Sequence, residues 1–226
     1  GPAMQTHIDA GEIAGVVTLV ARRGRIVHFE AYGYSDIAKR TPMRTDHIFG
    51  LASSSKPITA VAIMMLVENG DIRLSDPVSK FIPEFADQKV GVETGGKLEL
   101  VPVKREATVQ DLLRHTSGLT YDHTGNGPVQ QLYQQSRLRS RKITNAEHAT
   151  LIAGMPLMCQ PGAEWNYSRS TDVLGRIIEV VSGKSLGAFL TERILAPLQM
   201  AETAFHTPEA NAGRLAEPFP TDPWNG

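Results

Sequence analysis

The stretch from His47 to Gly70 reads HIFGLASSSKPITAVAIMMLVENG and contains one S-x-x-K pair, Ser53 and Lys56. Apolar residues recur at positions 58, 62, 65 and 66, a spacing that predicts a buried stripe on a helix from about 53 to 68. Ser53 is predicted to be the N-cap of this helix. Because residues three apart share one face of a helix, the Ser53 hydroxyl and the Lys56 amine can touch.

This pairing suits nucleophilic catalysis, because a hydroxyl is a poor nucleophile until a neighbour takes its proton or stabilises its anion. The Lys56 amine can do either if burial lowers its pKa, and a helix N-terminus adds partial positive charge beside the Ser53 oxygen. The alternative is that Ser53, Ser54 and Ser55 only cap a core helix. About one S-x-x-K is expected by chance in a chain of this length, so the pair needs support from other segments.

A second segment, PGAEWNYS from Pro161 to Ser168, gives that support. The Pro-Gly pair predicts a turn, and a strongly patterned helix is predicted from about 170 to 181, which places Tyr167 on a loop just before a helix. A phenol beside a cationic Lys56 loses its proton more easily and can act as a general base toward Ser53. The alternative is that Tyr167 and Trp165 are large residues packed under a loop.

Five blocks in a fixed order make the chain recognisable. They are FGLASSSK (49–56), DLLRHTSGL (111–119), PGAEWNYS (161–168), DVLGRIIE (172–179) and LAPLQM (195–200). With these blocks the chain resembles the serine β-lactamase-like superfamily, which includes class C β-lactamases, serine penicillin-binding peptidases and family VIII carboxylesterases. The S-x-x-K motif is characteristic of that superfamily.

The resemblance implies an α+β, β-lactamase-like fold in which an antiparallel sheet is joined to a helical lobe. It implies Ser53 as the acylated nucleophile, Lys56 as its partner and Tyr167 as the general base. Tyr121 and Trp165 are further candidates, as residues lining the acyl pocket. The expected activity is that of a serine hydrolase, a carboxylesterase on short-chain acyl esters, and the alternative within the superfamily is a β-lactamase or D-Ala-D-Ala peptidase.

Two departures from the superfamily pattern modify this expectation. β-Lactamases usually carry Asn two residues after the tyrosine, whereas this chain has Arg169, which offers hydrogen-bond donors only and therefore favours the esterase branch. The third motif, a Gly-containing strand with a Lys, His or Trp, is not found after Met200. The C-terminal sheet strands are therefore expected to be absent. An alternative of another class follows: an inactive N-terminal fragment that forms a homo-oligomer or pairs with a C-terminal half.

The expected organisation is a single incomplete domain. Residues 12–50 would form the hairpin and loop of the sheet lobe, residues 51–205 a mainly helical lobe with the nucleophile helix, and residues 206–226 an irregular tail. Strands are predicted at 14–21 and 25–32 around a tight turn, with a loop at 33–48 and a small strand at 99–103 after a loop at 91–96. Helices are predicted at 108–114, 129–138, 146–153, 170–181 and 186–194.

Composition excludes several other classes. The 226 residues carry a net charge of −1 with both signs interspersed, which gives no basic surface for nucleic acid, and no apolar run is long enough to span a membrane. The seven histidines lack ligand spacing, so we expect neither a metal nor a cofactor, and His115 is interpreted as making a structural hydrogen bond. The partner would be a small-molecule ester or amide substrate.

The single cysteine, Cys159, excludes an internal disulfide and is interpreted as a packed thiol. No secretion signal is visible after Met4, and Gly1-Pro2-Ala3 is interpreted as a remnant of cloning. The single cysteine and the lack of a visible signal favour a cytoplasmic location, and the alternative is a secretion signal that has been removed.

Overall fold

The computed structural model describes residues 1–140 and 142–217. The chain divides into two compact units. One contains residues 1–52 together with the described residues from 202 onward, and the other contains residues 53–201. Among the described residues, no helix combines the length and the apolar character that crossing a membrane requires.

The first unit is built on an antiparallel sheet of three strands in the order β1-β2-β3. Its strands are β1 (Gly15–Arg22), β2 (Arg25–Asp36) and β3 (Thr41–Pro42). The predicted hairpin is therefore confirmed, and Arg23 and Gly24 make its turn at φ angles of 50° and 73°. The left-handed conformation of both residues is that of a tight hairpin turn, whose twist matches that of the two strands.

Three features of this unit differ from the predictions. A helix, α1 (Pro2–Asp9), begins at the chain start that we interpreted as a remnant of cloning. Strand β2 continues to Asp36 and pairs with β3, so the predicted loop at 33–48 is partly strand. In the predicted irregular tail, Glu209–Arg214 forms a 3-10 helix, and residues 218–226 lie outside the described residues.

The second unit is mainly helical and contains the main hydrophobic core. Its helices are α2 (Lys56–Glu68), α3 (Val109–Leu113), α4 (Pro128–Gln135), α5 (Asn145–Ala153), α6 (Ser170–Ser182) and α7 (Leu186–Leu190). Helix α6 packs against α2, α3, α5 and α7, which makes it the centre of the unit. Its fully buried residues recur at helical spacing: Val173, Leu174, Ile177 and Ile178.

A two-stranded antiparallel hairpin, β4 (Lys89–Thr94) with β5 (Lys97–Pro102), lies in the same unit. The predicted strand at 99–103 belongs to β5, but the predicted loop at 91–96 is wrong, because Gly91 to Thr94 are strand. Gly91 permits a close approach that the sequence does not reveal, since a Cβ there would lie 2.5 Å from Cγ2 of Val129. With a sheet in each unit and the helices mainly in one, the described residues have the expected α+β composition.

The start of α2, the helix predicted to follow the nucleophile, differs from the prediction in an important way. Residues Ala52–Ser55 form a 3-10 turn, and α2 begins only at Lys56 with Ser55 as its N-cap. The expected N-cap role of Ser53 is therefore wrong. Its hydroxyl instead bonds to side chains.

Candidate active site

The Ser53 hydroxyl is the meeting point of the three residues that the sequence singled out. Lys56 Nζ donates to Ser53 Oγ over 3.1 Å, as expected for residues three apart in a helical turn. The Tyr167 hydroxyl donates to the same oxygen over 2.6 Å. Ser53 is exposed, whereas Lys56 and Tyr167 are half-buried, so the oxygen faces solvent while its two partners are held by the protein.

The charges around this hydroxyl favour a protonated lysine and an acidic phenol. Burial lowers the pKa of Lys56. The hydrogen bonds and charge interactions with the Tyr167 and Tyr121 oxygens raise it by more, and the pKa of Lys56 therefore lies above its ordinary value. Hydrogen bonding to Lys56, and then to Ser53, lowers the pKa of Tyr167 below that of a free phenol. The condition under which Lys56 would act as a base, a pKa lowered by burial, is therefore not met.

The loop that carries Tyr167 is hydrogen-bonded to the loop that follows α3. Asn166 N–H donates to the carbonyl oxygen of His115 over 2.8 Å, and the Asn166 side chain donates to the carbonyl of Leu119 over 2.8 Å. Met158 N–H donates to the carbonyl of Gly118 over 2.7 Å. Gly118 has a φ of 84°, and a Cβ there would lie 2.4 Å from the Cys159 carbonyl oxygen, so the close approach of the two loops requires glycine.

The loop after α3 is itself anchored by Asp111. Thr108 and Asp111 form a capping box at the start of α3, and Thr116 Oγ1 donates to the Asp111 carboxylate over 3.1 Å. Arg105 binds both carboxylate oxygens, at 2.6 and 3.0 Å. Burial alone would raise the pKa of Asp111, but the Arg105 and Thr108 hydrogen bonds outweigh it and lower the pKa to about 2.

Two aromatic rings lie beside the ring of Tyr167. The ring centroid of Tyr121 lies 5.5 Å from that of Tyr167, and Lys56 Nζ lies 5.7 Å from the Tyr121 centroid and 4.7 Å from the Tyr167 centroid. The Trp165 ring stacks on Tyr167 at 6.2 Å and 22° and is 68% exposed. Burial, and then the charge of Asp172, raise the pKa of Tyr121, so this phenol stays neutral. The structure thus brings both predicted pocket residues next to Tyr167.

Arg169, the residue that departs from the superfamily pattern, belongs to an ion-pair cluster around the buried carboxylate of Asp122. Its Nη2 donates to Asp122 Oδ1 over 2.8 Å, and its guanidinium carbon lies 5.3 Å from the Tyr121 ring centroid. Arg139 binds the other oxygen of Asp122. Sequence reasoning missed this cluster, and no local motif could have found it, because the three residues come from three separate segments.

The remaining predicted features have ordinary surroundings. Burial raises the pKa of the Cys159 thiol, and the cysteine is free, as expected for a packed thiol. Within residues 1–140 and 142–217, no group of three or more His, Cys, Asp or Glu side chains is arranged to hold a metal ion.

Comparison with known proteins identifies the family. The beta-lactamase family model matches residues 3–225. Esterase EstB of Burkholderia gladioli is 35% identical over 209 residues, which are 92% of this chain and 51% of that protein. The structure of EstCE1, a hydrolase with promiscuous acyltransferase activity, matches with a TM-score of 0.82 and 32% identity, covering 95% of this chain and 54% of the other.

An octameric penicillin-binding protein homologue from Pyrococcus abyssi also matches, with a TM-score of 0.70 and 26% identity over 95% of this chain and 46% of that one. The chain therefore belongs to the beta-lactamase family and has its fold, which confirms the resemblance seen in the sequence. It spans about half the length of the relatives that it matches.

Proposed function

We propose that this chain carries the nucleophilic site of a serine hydrolase, acting as a carboxylesterase on short-chain acyl esters. The observation that carries the proposal is the 2.6 Å contact between the Tyr167 and Ser53 hydroxyls, with Lys56 Nζ 3.1 Å from the same Ser53 oxygen. A nucleophile within hydrogen-bond reach of a base, which is in turn held by a third group, is the arrangement that covalent catalysis requires.

Acylation begins when ionised Tyr167 accepts the Ser53 proton and Ser53 Oγ attacks the ester carbonyl carbon. The carbonyl oxygen becomes an oxyanion, which the Ser53 N–H and the positive end of α2 stabilise. The tetrahedral intermediate then collapses, its carbon–oxygen bond to the alcohol breaks, and Tyr167 returns the proton to the leaving alkoxide. The products of this half-reaction are an acyl-Ser53 ester and a free alcohol.

Deacylation repeats the same steps with water. Tyr167 takes a proton from the water molecule, the hydroxide attacks the acyl carbon, and the bond to Ser53 Oγ breaks. The proton returns from Tyr167 to Ser53 Oγ, and the free acid leaves. Lys56 remains protonated throughout, because its role is to stabilise the phenolate rather than to carry the proton.

The aromatic side chains offer apolar surface for an ester substrate. Tyr121 and Trp165 would contact its acyl or alcohol part, because their rings lie beside that of Tyr167. The names of the relatives EstB and EstCE1, an esterase and a hydrolase, support an ester substrate.

A β-lactamase or peptidase activity uses the same acylation chemistry but has less support. The position where β-lactamases usually carry Asn holds Arg169, and its guanidinium is bound to Asp122. An arginine so engaged cannot offer the acceptor that an amide side chain provides. We therefore expect slower turnover of a β-lactam than of an ester.

The second candidate function, an inactive half that assembles with another chain, has one observation in its favour. In the first unit, Leu19 and Phe29 face each other across β1 and β2 and are 53% and 44% exposed. Strand β1 lies at the edge of its sheet among the described residues. Apolar side chains beside an open edge are typical of an association surface, and the octameric homologue adds support.

Covalent labelling with an alkyl phosphonate probe tests the nucleophile. The parent and Ser54→Ala should be labelled at equal rates, because Ser54 is an exposed neighbour in the same turn, whereas Ser53→Ala should not react. Equal labelling of Ser53→Ala and the parent would refute the assignment. Parallel assays with p-nitrophenyl butyrate and nitrocefin then separate the esterase branch from the β-lactamase branch.

A further inference from the structure

Residue His115 contacts the chain on both sides of Tyr167. The Asn166 N–H donates to the His115 carbonyl oxygen over 2.8 Å, and the Ser168 N–H donates to His115 Nδ1 over 3.3 Å. The His115 ring also packs on the Tyr167 ring, with centroids 4.9 Å apart and planes at 48°. One residue thus restrains the backbone before Tyr167, the backbone after it, and the face of its ring.

These contacts determine which nitrogen of the imidazole carries the proton. Because the Ser168 N–H can only donate, His115 Nδ1 must accept, and the ring proton is on Nε2. Burial, and then the charge of Lys56, lower the pKa of His115, so the ring remains neutral at neutral pH. The hydrogen bond from the Ser168 N–H to the ring therefore persists in the pH range where the phenol would act, and the one from the Asn166 N–H, made to the His115 carbonyl, does not depend on the ring.

Three buried serine hydroxyls form a hydrogen-bonded chain that ends at the His115 imidazole. Ser168 Oγ lies 3.2 Å from His115 Nδ1 and 2.8 Å from Ser170 Oγ, which lies 2.8 Å from Ser117 Oγ. The three serines are at most 1% exposed. Since buried hydroxyls depend on one another for hydrogen bonds, this chain holds Ser168 and the ring in one arrangement.

The backbone of His115 is in a sparsely populated conformation. Its φ of 56° lies in the left-handed region, where residues other than glycine are uncommon. Glycine would adopt this conformation without strain, but it offers neither an acceptor for Ser168 nor a ring for Tyr167. Strain of this kind persists where the surrounding contacts over-determine it.

We propose that His115 is a positioning residue that holds the Tyr167 hydroxyl against Ser53 and Lys56. This role rests on the proposed function, in which Tyr167 is the base. His115 takes no proton in the reaction. It acts by keeping the phenol within hydrogen-bond distance of the nucleophile, where misplacement by about 1 Å can lower a rate roughly 10²-fold.

Two variants that both tolerate the left-handed backbone test the role. His115→Gly removes the acceptor and the ring, whereas His115→Asn keeps an acceptor near the Nδ1 position, and both retain the carbonyl that binds residue 166. With p-nitrophenyl butyrate, we expect kcat of His115→Gly to fall roughly 10–100-fold with KM within about twofold of the parent. The Asn variant should recover most of this loss, and thermal unfolding establishes that each variant is folded.

A titration of tyrosinate absorbance gives a readout that does not depend on turnover. The difference between the parent and Tyr167→Phe isolates the ionisation of Tyr167, whose pKa is lowered in the parent. In His115→Gly this ionisation should move toward the ordinary phenol pKa, because the phenol leaves Lys56, and in His115→Asn it should stay near that of the parent.

The titration also separates the two proposals. If the parent hydrolyses no ester, the proposed function fails, and the titration alone decides whether His115 positions Tyr167. An unchanged Tyr167 ionisation in His115→Gly would overturn the positioning role, as would an unchanged kcat. If His115→Gly does not fold, the titration of His115→Asn decides. A Tyr167 pKa that is raised in this variant overturns the positioning role, and a Tyr167 pKa that stays at the parent's value supports it.

Discussion

The hydroxyls of Ser53 and Tyr167 lie 2.6 Å apart although 114 positions separate the two residues in the chain. Ser53 lies just before α2 and Tyr167 just before α6, and these two helices pack against each other. The Ser53 hydroxyl thus lies just before the N-terminus of α2, and the Tyr167 side chain reaches it from the segment before α6. Because a helix N-terminus carries partial positive charge, α2 favours negative charge on the Ser53 oxygen.

Removing one hydroxyl tests the base. Tyr167→Phe keeps the ring but loses the proton acceptor, so kcat/KM for p-nitrophenyl butyrate should fall roughly 10²–10⁴-fold. Tyr121→Phe is the matched control, because the neutral Tyr121 phenol supplies a hydrogen bond rather than a base and its loss should cost about tenfold or less. Equal losses in the two variants would contradict the assignment of Tyr167.

The pH profile tests the partnership of Lys56 and Tyr167. Because the proposed base is the phenolate, kcat/KM should rise with pH through the pKa of Tyr167, which lies below the ordinary value of 10.0. It should fall again only above 10.5, the ordinary value for a lysine, where Lys56 loses its proton. In Lys56→Met the acidic limb should move to higher pH, since the ammonium that stabilises the phenolate is gone. A limb that stays in place in Lys56→Met would show that Lys56 does not set the phenol pKa.

The local part of this site could be predicted from the sequence, and the long-range part only through the resemblance. The contact between Ser53 and Lys56 follows from helical spacing alone. The contact with Tyr167 joins distant loops, and no local pattern specifies which loops meet. A structural hydrogen bond of His115 was predicted, but its partners were not, and the Asp122 cluster was not predicted at all, because both depend on loops that pack only in the folded chain.

The missed elements of the fold have local explanations. The sequence predicts a loop in place of strand β4 because Gly91, Gly95 and Gly96 indicate turns. Only Gly95 and Gly96 form the turn, and Gly91 accommodates Val129 of α4. Helix α1 was overlooked because its first residues resemble a cloning remnant, although Pro2 at the first position suits a helix. Cap propensity predicts Ser53 as the N-cap because it considers only hydrogen bonds to the backbone. In the structure the Ser53 hydroxyl is hydrogen-bonded to the side chains of Lys56 and Tyr167 instead.

The two arginines on Asp122 should differ in their contribution to stability. Arg169 is 11% exposed, Arg139 is 67% exposed, and the shared carboxylate is 2% exposed. Arg169→Met breaks a buried pair and should lower the free energy of unfolding by roughly 3 kcal/mol, whereas Arg139→Met should cost below about 1 kcal/mol. Urea unfolding of the two variants measures the difference. Equal losses in the free energy of unfolding would show that the buried Arg169–Asp122 pair stabilises the fold no more than the exposed Arg139–Asp122 pair.

Asp111 should make the fold sensitive to acid. Its pKa of about 2 in the folded chain lies below the ordinary 3.8, so its contribution is present above about pH 4 and is lost as the pH falls toward 2. A shift of this size corresponds to roughly 2 kcal/mol. Asp111→Asn should be less stable than the parent at neutral pH, and the gap should narrow by about this amount on acidification. At pH 3, which lies above the folded-state pKa, roughly half of this narrowing is expected. Urea midpoints at about pH 7 and pH 3 measure it, and a gap independent of pH would contradict the expectation.

The exposed apolar hairpin should drive association of the chain. Leu19 and Phe29 are opposed across β1 and β2 and remain largely exposed, so replacing them with Glu and Lys introduces a favourable cross-strand charge pair with little cost to the fold. Sedimentation should show assemblies of the parent that dissociate in this double variant. Val180→Lys, which changes an exposed apolar residue on α6, should assemble as the parent does. A parent that stays monomeric over a wide concentration range, without a companion polypeptide, would rule out association through this surface.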